Sequence, residues 1–349
     1  MPKDLEPSQI SAIVIGTVPL GLHWPTLDPF LFVAHHRDHY PPGNSNLGVD
    51  QSELSGRNMG SDFELRDGWR MYHGSEVPGF PQHPHRGFET ITLAREGYID
   101  HHDSMGAAAR FGDGDVQWMT AGQGVVHSEM FPLVHSDRDN PTELFQIWLN
   151  LPAASKMVQP HFKMLWSEEL PSLFFEDEAG RTTQVDIVAG ALADGVPPKP
   201  PPHSWAVEPS HGVQIWRITM EAHGRWTLPA AEAGHTRVLY IHAGAQVRVA
   251  DAPVPASTGV QLEPSSDVDL ENGDEVSQML LLSGQAIREP VAQHGPFVMN
   301  NRIELQQAFD DYRRTGFGGW SWPSEAPVHH QGKGRFAVHG DGRTEEPKG

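Results

Sequence analysis

The amino-acid sequence predicts an all-β fold of the sandwich or barrel type. Glycine and proline are abundant, at 35 and 30 of 349 residues, and they cut the chain into short apolar or alternating runs. Such punctuation is typical of many short strands joined by turns. The runs form two series, the first at residues 30–34, 90–94, 116–119 and 144–151, and the second at residues 184–188, 213–220, 236–241 and 276–282.

One short helix is expected near the end of the chain. Asn300 or Asn301 can cap its start, and Gly316 can close it. One apolar face is predicted from the helical spacing of Leu305, Ala308, Phe309 and Tyr312. The segment that follows, residues 319–349, is rich in Gly, Pro and charge, and we expect it to wrap the surface or to be partly disordered.

Composition excludes several classes of function. The net charge of −20 repels phosphate backbones, so direct nucleic-acid binding is not expected. The absence of cysteine excludes disulfides, thiolate metal sites and a cysteine nucleophile. No apolar run is long enough to span a membrane, and the first residues do not resemble a secretory signal. These features predict a cytoplasmic protein.

Two short motifs carry the chemistry that the sequence suggests. His83 and His85 are two positions apart in HPHRGFET, and His127 and Glu129 are two positions apart in GVVHSE. Residues i and i+2 of a strand point to the same face. If the two strands meet, the four side chains form a shell of three imidazoles and one carboxylate. Such a shell suits Fe(II), Mn, Ni, Co, Cu(II) or Zn and leaves positions open for water, substrate or O₂.

Other residues of the chain compete with these four as candidate ligands. With 21 histidines in the chain, most must be ordinary surface residues, and a lone HxH would be weak evidence. Glu89 competes with Glu129, because a carboxylate four residues after HxH lies on the same face of a continuous strand. The histidines that we expect to be surface or hydrogen-bonding residues rather than ligands are His35, His36, His39, His101, His102, His329 and His330.

Several longer motifs resemble the pirin family, in order along the chain. They cover residues 28–318 and comprise HPHRGFET (83–90), DSMG (103–106), GDVQWMTAG (114–122), HSE (127–129), the Trp148-x-Asn150-x-Pro152 pattern and EPVAQHGPFVMN (289–300). The resemblance implies a bicupin, which is two stacked antiparallel β-barrels of the jelly-roll type with a short C-terminal helix. We accordingly expect a metal-binding barrel at residues 1–155, a barrel without metal at 156–300, and the helix and tail at 301–349.

The resemblance also implies the ligand set. It assigns one mononuclear metal per chain, usually iron, to His83, His85, His127 and Glu129, and it favours Glu129 over Glu89. In the second barrel His235 and His242 are seven positions apart, so they would point to opposite faces of a strand.

Two kinds of function follow from the resemblance. Pirin-like bacterial proteins include quercetin 2,3-dioxygenases, which open a flavonol ring with O₂ and release carbon monoxide. In such an enzyme Glu129 would be a ligand or a general base, and Phe88, Trp118 and Met119 would be candidates for the apolar walls of the site, unless they are core residues. The alternative is a metal- or redox-sensing regulator that binds a partner protein, and a dioxygenase of another small molecule is a third possibility.

Overall fold

The computed structural model describes residues 13–348, and within that range strands dominate and one α-helix occurs. The residues divide into two compact units. We call residues 34–168 and 289–348 unit I, and residues 13–33 and 169–288 unit II. No helix within residues 13–348 is both long and apolar enough to cross a membrane.

Unit I contains two large sheets and the two-stranded sheet β22-β23. The β5 sheet has the strand order β11-β8-β5-β10-β3, and the β9 sheet has the order β25-β24-β7-β6-β9-β4. A buried cluster that includes Tyr40, Phe111 and Trp166 forms a core of this unit. The strands are β3 (Phe30–Tyr40, whose last seven residues belong to unit I), β4 (Gly79–His85), β5 (Phe88–Glu96), β6 (Tyr98–Asp103), β7 (Ala108–Gly112), β8 (Val116–Thr120), β9 (Val125–Met130), β10 (Asn140–Asn150), β11 (His161–Leu165), β22 (Ala292–His294), β23 (Phe297–Met299), β24 (Phe336–Val338) and β25 (Thr344–Glu345).

Unit II also contains two sheets, each antiparallel. The β16 sheet has the order β1-β19-β16-β21-β14-β13-β12, and the β20 sheet has the order β15-β20-β17-β18. A separate apolar cluster, including Trp216, Leu239 and Leu281, forms its core. The strands are β1 (Val14–Pro19), β2 (His23–Pro25), β12 (Ser172–Glu176), β13 (Thr182–Ala189), β14 (Gln214–Met220), β15 (Arg225–Leu228), β16 (His235–Ala243), β17 (Gln246–Val249), β18 (Ala252–Pro255), β19 (Thr258–Leu262), β20 (Val268–Asn272) and β21 (Ser277–Gln285).

Both units are assembled from discontinuous segments. β1 pairs with β19, so residues 13–33 belong to unit II, and β11 pairs with β8, so unit I extends to residue 168. The helix and the tail also belong to unit I. This division differs from the expected boundaries at 155/156 and 300/301, because strand pairing joins segments that are far apart in the sequence.

The helix α1 (Arg302–Thr315) matches its prediction. The Asn301 side chain accepts a hydrogen bond from the Glu304 backbone N–H at 3.0 Å, and Gly316 ends the helix with a left-handed backbone. Leu305 and Ala308 are buried, while Phe309 and Tyr312 pack partly buried against the same cluster. The predicted apolar face is therefore confirmed.

The tail is more ordered than the sequence suggested. β24 pairs antiparallel with β7 and so extends the β9 sheet. Arg110, which is buried, donates to both Asp100 carboxylate oxygens at 2.7 Å. Its guanidinium also donates to tail carbonyls at 3.0–3.4 Å, those of His329, His330, Gln331 and Lys333. His329 is partly buried, and its ring stacks on that of His102 at 4.4 Å between centroids, whereas His330 is exposed.

Candidate metal centre

The two motifs lie on adjacent strands of the β9 sheet. β4 pairs antiparallel with β9, and His83 stands directly opposite His127. Side chains of directly opposed residues share a face of the sheet, and so do residues two positions apart on one strand. His83, His85, His127 and Glu129 therefore all point to one face.

The three histidines form a compact group. One nitrogen from each of His83, His85 and His127 lies within 4.8 Å of the other two. The ring of His127 is 4.4 Å from that of His83 and 4.9 Å from that of His85, measured between centroids. His83 keeps partial solvent exposure, whereas His85 and His127 are buried.

The free nitrogens of these rings fit a metal. The Nδ1 of His83 lies 2.8 Å from the Pro81 carbonyl oxygen, and that of His85 lies 3.4 Å from the Pro296 carbonyl oxygen. A carbonyl can only accept, so Nδ1 carries the proton and Nε2 presents a lone pair. Among the residues that the structure describes, the Nε2 of His85 and both ring nitrogens of His127 are buried with no hydrogen-bond partner. Buried polar atoms are rarely left unpaired, and a cation would satisfy the Nε2 of His85 and one ring nitrogen of His127.

The environment keeps the three imidazoles neutral. Desolvation lowers the pKa of His83 to about 4 and the pKa values of His85 and His127 well below the ordinary value of 6.5. Proximity of the rings to one another adds to this effect on His85 and His127. Neutral imidazole is the form that binds a metal.

Glu129 lies beside the histidines. Its Oε2 is 3.8 Å from the Nε2 of His127. Its Oε1 accepts from the Thr92 hydroxyl at 2.9 Å, and its Oε2 accepts from the Gln146 amide at 2.5 Å. Burial raises the pKa of Glu129, while His101 and these two hydrogen bonds lower it. The donor set of three imidazoles and one carboxylate, with no thiolate, suits a catalytic transition metal.

Glu89 faces away from Glu129. It lies on β5 three positions before Thr92, and the pairing of β5 with β8 and β10 is regular between them. Alternation along the strand puts Thr92, which touches Glu129, and Glu89 on opposite faces. Glu89 is buried and accepts from the Thr120 hydroxyl at 2.6 Å.

The same alternation of side chains places the three expected wall residues on different faces of the β5 sheet. Phe88 shares a face with Thr92, and its ring lies 5.1 Å from His85 and 3.9 Å from Trp148. Met119 pairs with Thr90 and packs against Val125. Trp118 pairs with Ile91, so it lies on the face of Glu89 and is a core residue instead of a wall of the site.

Two further residues of the β9 sheet share the face of the four candidate ligands. β6 pairs with β9 so that His101 stands opposite Glu129 and Asp103 stands opposite His127. The His101 ring stacks on Phe162 at 5.0 Å and lies 5.5 Å from the His127 ring, with its Nε2 3.2 Å from Asp103. His101 is hydrogen-bonded, as expected, but its place on this face beside His127 and Glu129 was not predicted, although the HxD spacing repeats the pattern of the HxE motif.

The histidines of β3 have other partners. The Nε2 of His39 lies 2.9 Å from Asp139 at the surface, and His36 is buried with its ring 4.7 Å from Tyr72. They point to opposite faces of β3, as expected from their odd spacing.

Fold and site together define a β-rich cupin protein with a three-histidine cluster. The pirin family model matches residues 50–149, and the model of the pirin C-terminal cupin domain matches residues 215–318. The chain therefore belongs to the pirin family, and its fold is that of a bicupin.

Known relatives agree with this assignment. A Pseudomonas aeruginosa protein named as a candidate quercetin 2,3-dioxygenase is 34% identical over 254 residues, covering 68% of this chain and 79% of that protein. Human pirin is 33% identical over 257 residues, covering 71% of this chain and 80% of its own length. The crystal structure of quercetin 2,3-dioxygenase from Acinetobacter baumannii is similar with a TM-score of 0.68 and 26% identity, covering 88% of this chain and 98% of that one.

Proposed function

We propose that this pirin is a metal-dependent dioxygenase of the quercetin 2,3-dioxygenase type, with His83, His85, His127 and Glu129 as metal ligands. The observation that carries the proposal is the group of neutral imidazoles with uncommitted nitrogens beside a carboxylate. The likeness to the Acinetobacter baumannii enzyme supports it.

The site would bind one metal ion per chain. Iron(II) is the preferred ion, and Mn, Ni, Co, Cu and Zn are alternatives. Bound through these residues, such an ion lowers the pKa of a hydroxyl group that it contacts and leaves positions for a substrate. We infer a flavonol-like substrate and O₂. One flavonol and one O₂ give one ring-opened product and one carbon monoxide.

The side chains would contribute as follows. Glu129 takes the proton of the flavonol 3-hydroxyl, since it is the carboxylate beside the imidazoles. Phe88 and Trp148, stacked on each other and each edge-on to His85, shield that ligand from water. His83 keeps partial solvent exposure, and we infer that substrate enters on its side.

A flavonol assay tests the proposal. Protein of measured metal content should bleach the quercetin absorption band in air, with one carbon monoxide formed per O₂ consumed, and should leave the band unchanged without O₂. Failure of protein loaded in turn with each of these metals to turn over quercetin would overturn the enzymatic proposal. Glu129→Gln in the same assay should lower turnover more than metal content, because the amide retains an oxygen ligand but cannot take a proton.

The second candidate is a metal- or redox-sensing regulator that binds a partner protein. It is supported by the similarity to human pirin, whose name states no enzymatic activity. This chain is about as similar to human pirin, at 33% identity, as to the Pseudomonas protein, at 34%. The net charge of −20 would suit a basic partner. Stoichiometric metal without turnover of quercetin would favour this candidate.

A further inference from the structure

The Glu129 carboxylate accepts hydrogen bonds from the β5 sheet, which carries none of the four proposed ligands. Its two donors, Thr92 and Gln146, are directly opposed residues of β5 and β10. Each donor takes a different oxygen, Oε1 for Thr92 and Oε2 for Gln146. Two neutral donors side by side therefore fix the plane of the carboxylate and leave its remaining lone pairs for a cation or a proton.

The orientation of Gln146 is fixed in turn by Trp148. The Trp148 indole N–H donates to the Gln146 amide oxygen at 3.2 Å. An indole nitrogen can only donate, so the amide must present its oxygen to Trp148 and its NH₂ to Glu129. The Trp148 ring also lies 5.3 Å from His85, edge to face. One chain of contacts therefore joins two proposed ligands that lie on different strands.

We propose that Thr92 and Gln146 are positioning residues for Glu129, and that Trp148 positions Gln146. This inference rests on the proposed role of Glu129 and assigns the control of its geometry to β5 and β10. Groups that hydrogen-bond a metal ligand orient it, and their loss typically weakens metal binding 10- to 100-fold. The His83, His85 and His127 nitrogens do not depend on this chain of hydrogen bonds.

The test uses Co(II) as the probe, with the full chain, and needs no flavonol. Thr92→Val keeps the shape of the side chain and removes the donor, whereas Thr92→Ser keeps the donor. We expect Thr92→Val and Gln146→Leu to weaken Co(II) binding about 10- to 100-fold and to shift the visible absorption bands of the bound ion. Thr92→Ser should restore both properties, and Trp148→Phe should give a smaller change in the same direction.

The matched control is Thr120→Val. Thr120 donates to Glu89 at 2.6 Å, which is the same chemistry on the opposite face of the β5 sheet. We expect this variant to bind Co(II) with wild-type affinity and an unchanged spectrum. If Gln146→Leu does not fold, the Thr92 pair decides alone.

Two results would overturn the inference. One is wild-type affinity and spectrum in Thr92→Val, and the other is equal weakening in Thr92→Val and Thr92→Ser. Both leave the dioxygenase proposal standing, since that proposal is judged by quercetin turnover. Conversely, the variants could show the expected Co(II) changes in a protein that does not turn over quercetin. That result would reject the enzymatic proposal and support the positioning residues.

Discussion

At the scale of single residues, the chemistry of unit I depends on buried polar groups that each have a few specific hydrogen-bond partners. Lys156 is an example close to the HPHRGFET motif. Its ammonium is buried and donates to the Gly87 carbonyl and the Asn150 side chain at 2.8 Å, and to the Val298 carbonyl at 3.2 Å. Burial lowers its pKa to about 8, although Glu289 and Glu304 oppose the shift. The charged form therefore costs free energy in the folded protein.

This shift predicts a pH dependence of stability. A lysine whose pKa is lower in the folded protein than in the unfolded chain loses its proton at a lower pH when the protein is folded. The free energy of unfolding therefore rises as the pH increases from about 8 to 10.5. At 1.36 kcal/mol per pKa unit, the gain is about 3 kcal/mol. The free energy of unfolding of the wild type, minus that of Lys156→Met, should rise by this amount over that range when measured by denaturant titration. A difference that stays constant with pH would contradict the assignment.

Single residues also show how far the sequence could predict the site. The spacing of His83–His85 and of His127–Glu129 is visible in the sequence because it lies within one strand. Thr92 and Gln146 could not be predicted, since they reach Glu129 only through the pairing of β5 with β10 and the facing of two sheets. His101 could have been found by the HxD spacing, but its position opposite Glu129 depends on the register of β6 against β9.

At the scale of elements, a buried ion pair helps to attach the tail to the rest of unit I, together with the pairing of β24 with β7 and the contact of Arg335 with Asp115. Asp100 and Arg110 stand opposite each other on β6 and β7, and Arg110 also holds the carbonyls of residues 329–333. Composition alone suggested a tail that wraps the surface or is partly disordered, because the segment is rich in Gly, Pro and charge. Part of its order comes from a buried arginine more than 200 positions away in the sequence, and no local pattern contains that information.

Replacement of this arginine should release the tail. Arg110→Met leaves the buried Asp100 carboxylate without its partner, which typically costs about 3–5 kcal/mol. We expect limited proteolysis to cut within residues 329–343 faster than in the wild type, with a loss of stability of that size. The double variant Arg110→Met, Asp100→Asn should recover part of the stability, because it removes the unpaired charge. Wild-type cleavage in Arg110→Met would show that the tail is held by other contacts.

At the scale of the whole chain, each unit has a core of its own. The discontinuous composition of the units escaped the sequence analysis, because β1 joins β19 across more than 200 residues. The all-β class and the bicupin family were predicted correctly, since turn residues and the pirin motifs are local features. The proposed metal ligands all belong to unit I, so metal should stabilise that unit by mass action.

Metal removal therefore has a predictable effect on the melting of the chain. Free metal at 100 times its Kd should stabilise unit I by about 2.7 kcal/mol, and chelation should reverse the shift. His83→Ala and His127→Ala should lose both the metal and the shift, as measured by elemental analysis and calorimetry. His39→Ala is the control, because the His39 side chain is largely exposed and pairs with Asp139. Stoichiometric metal in both ligand variants would exclude the assigned site.

The alternation of β9 has a consequence for how this site can change during evolution. Ser128 lies between His127 and Glu129, and Val126 precedes His127. Both side chains face the opposite side of the strand from His127 and Glu129. An insertion or deletion of one residue ahead of His127 within the strand would turn both ligands out and these two residues in, whereas a change of two residues would keep the ligands facing inward. Homologous lineages that retain the metal should therefore differ in length here by even numbers, and odd changes should mark lineages that have given up the chemistry.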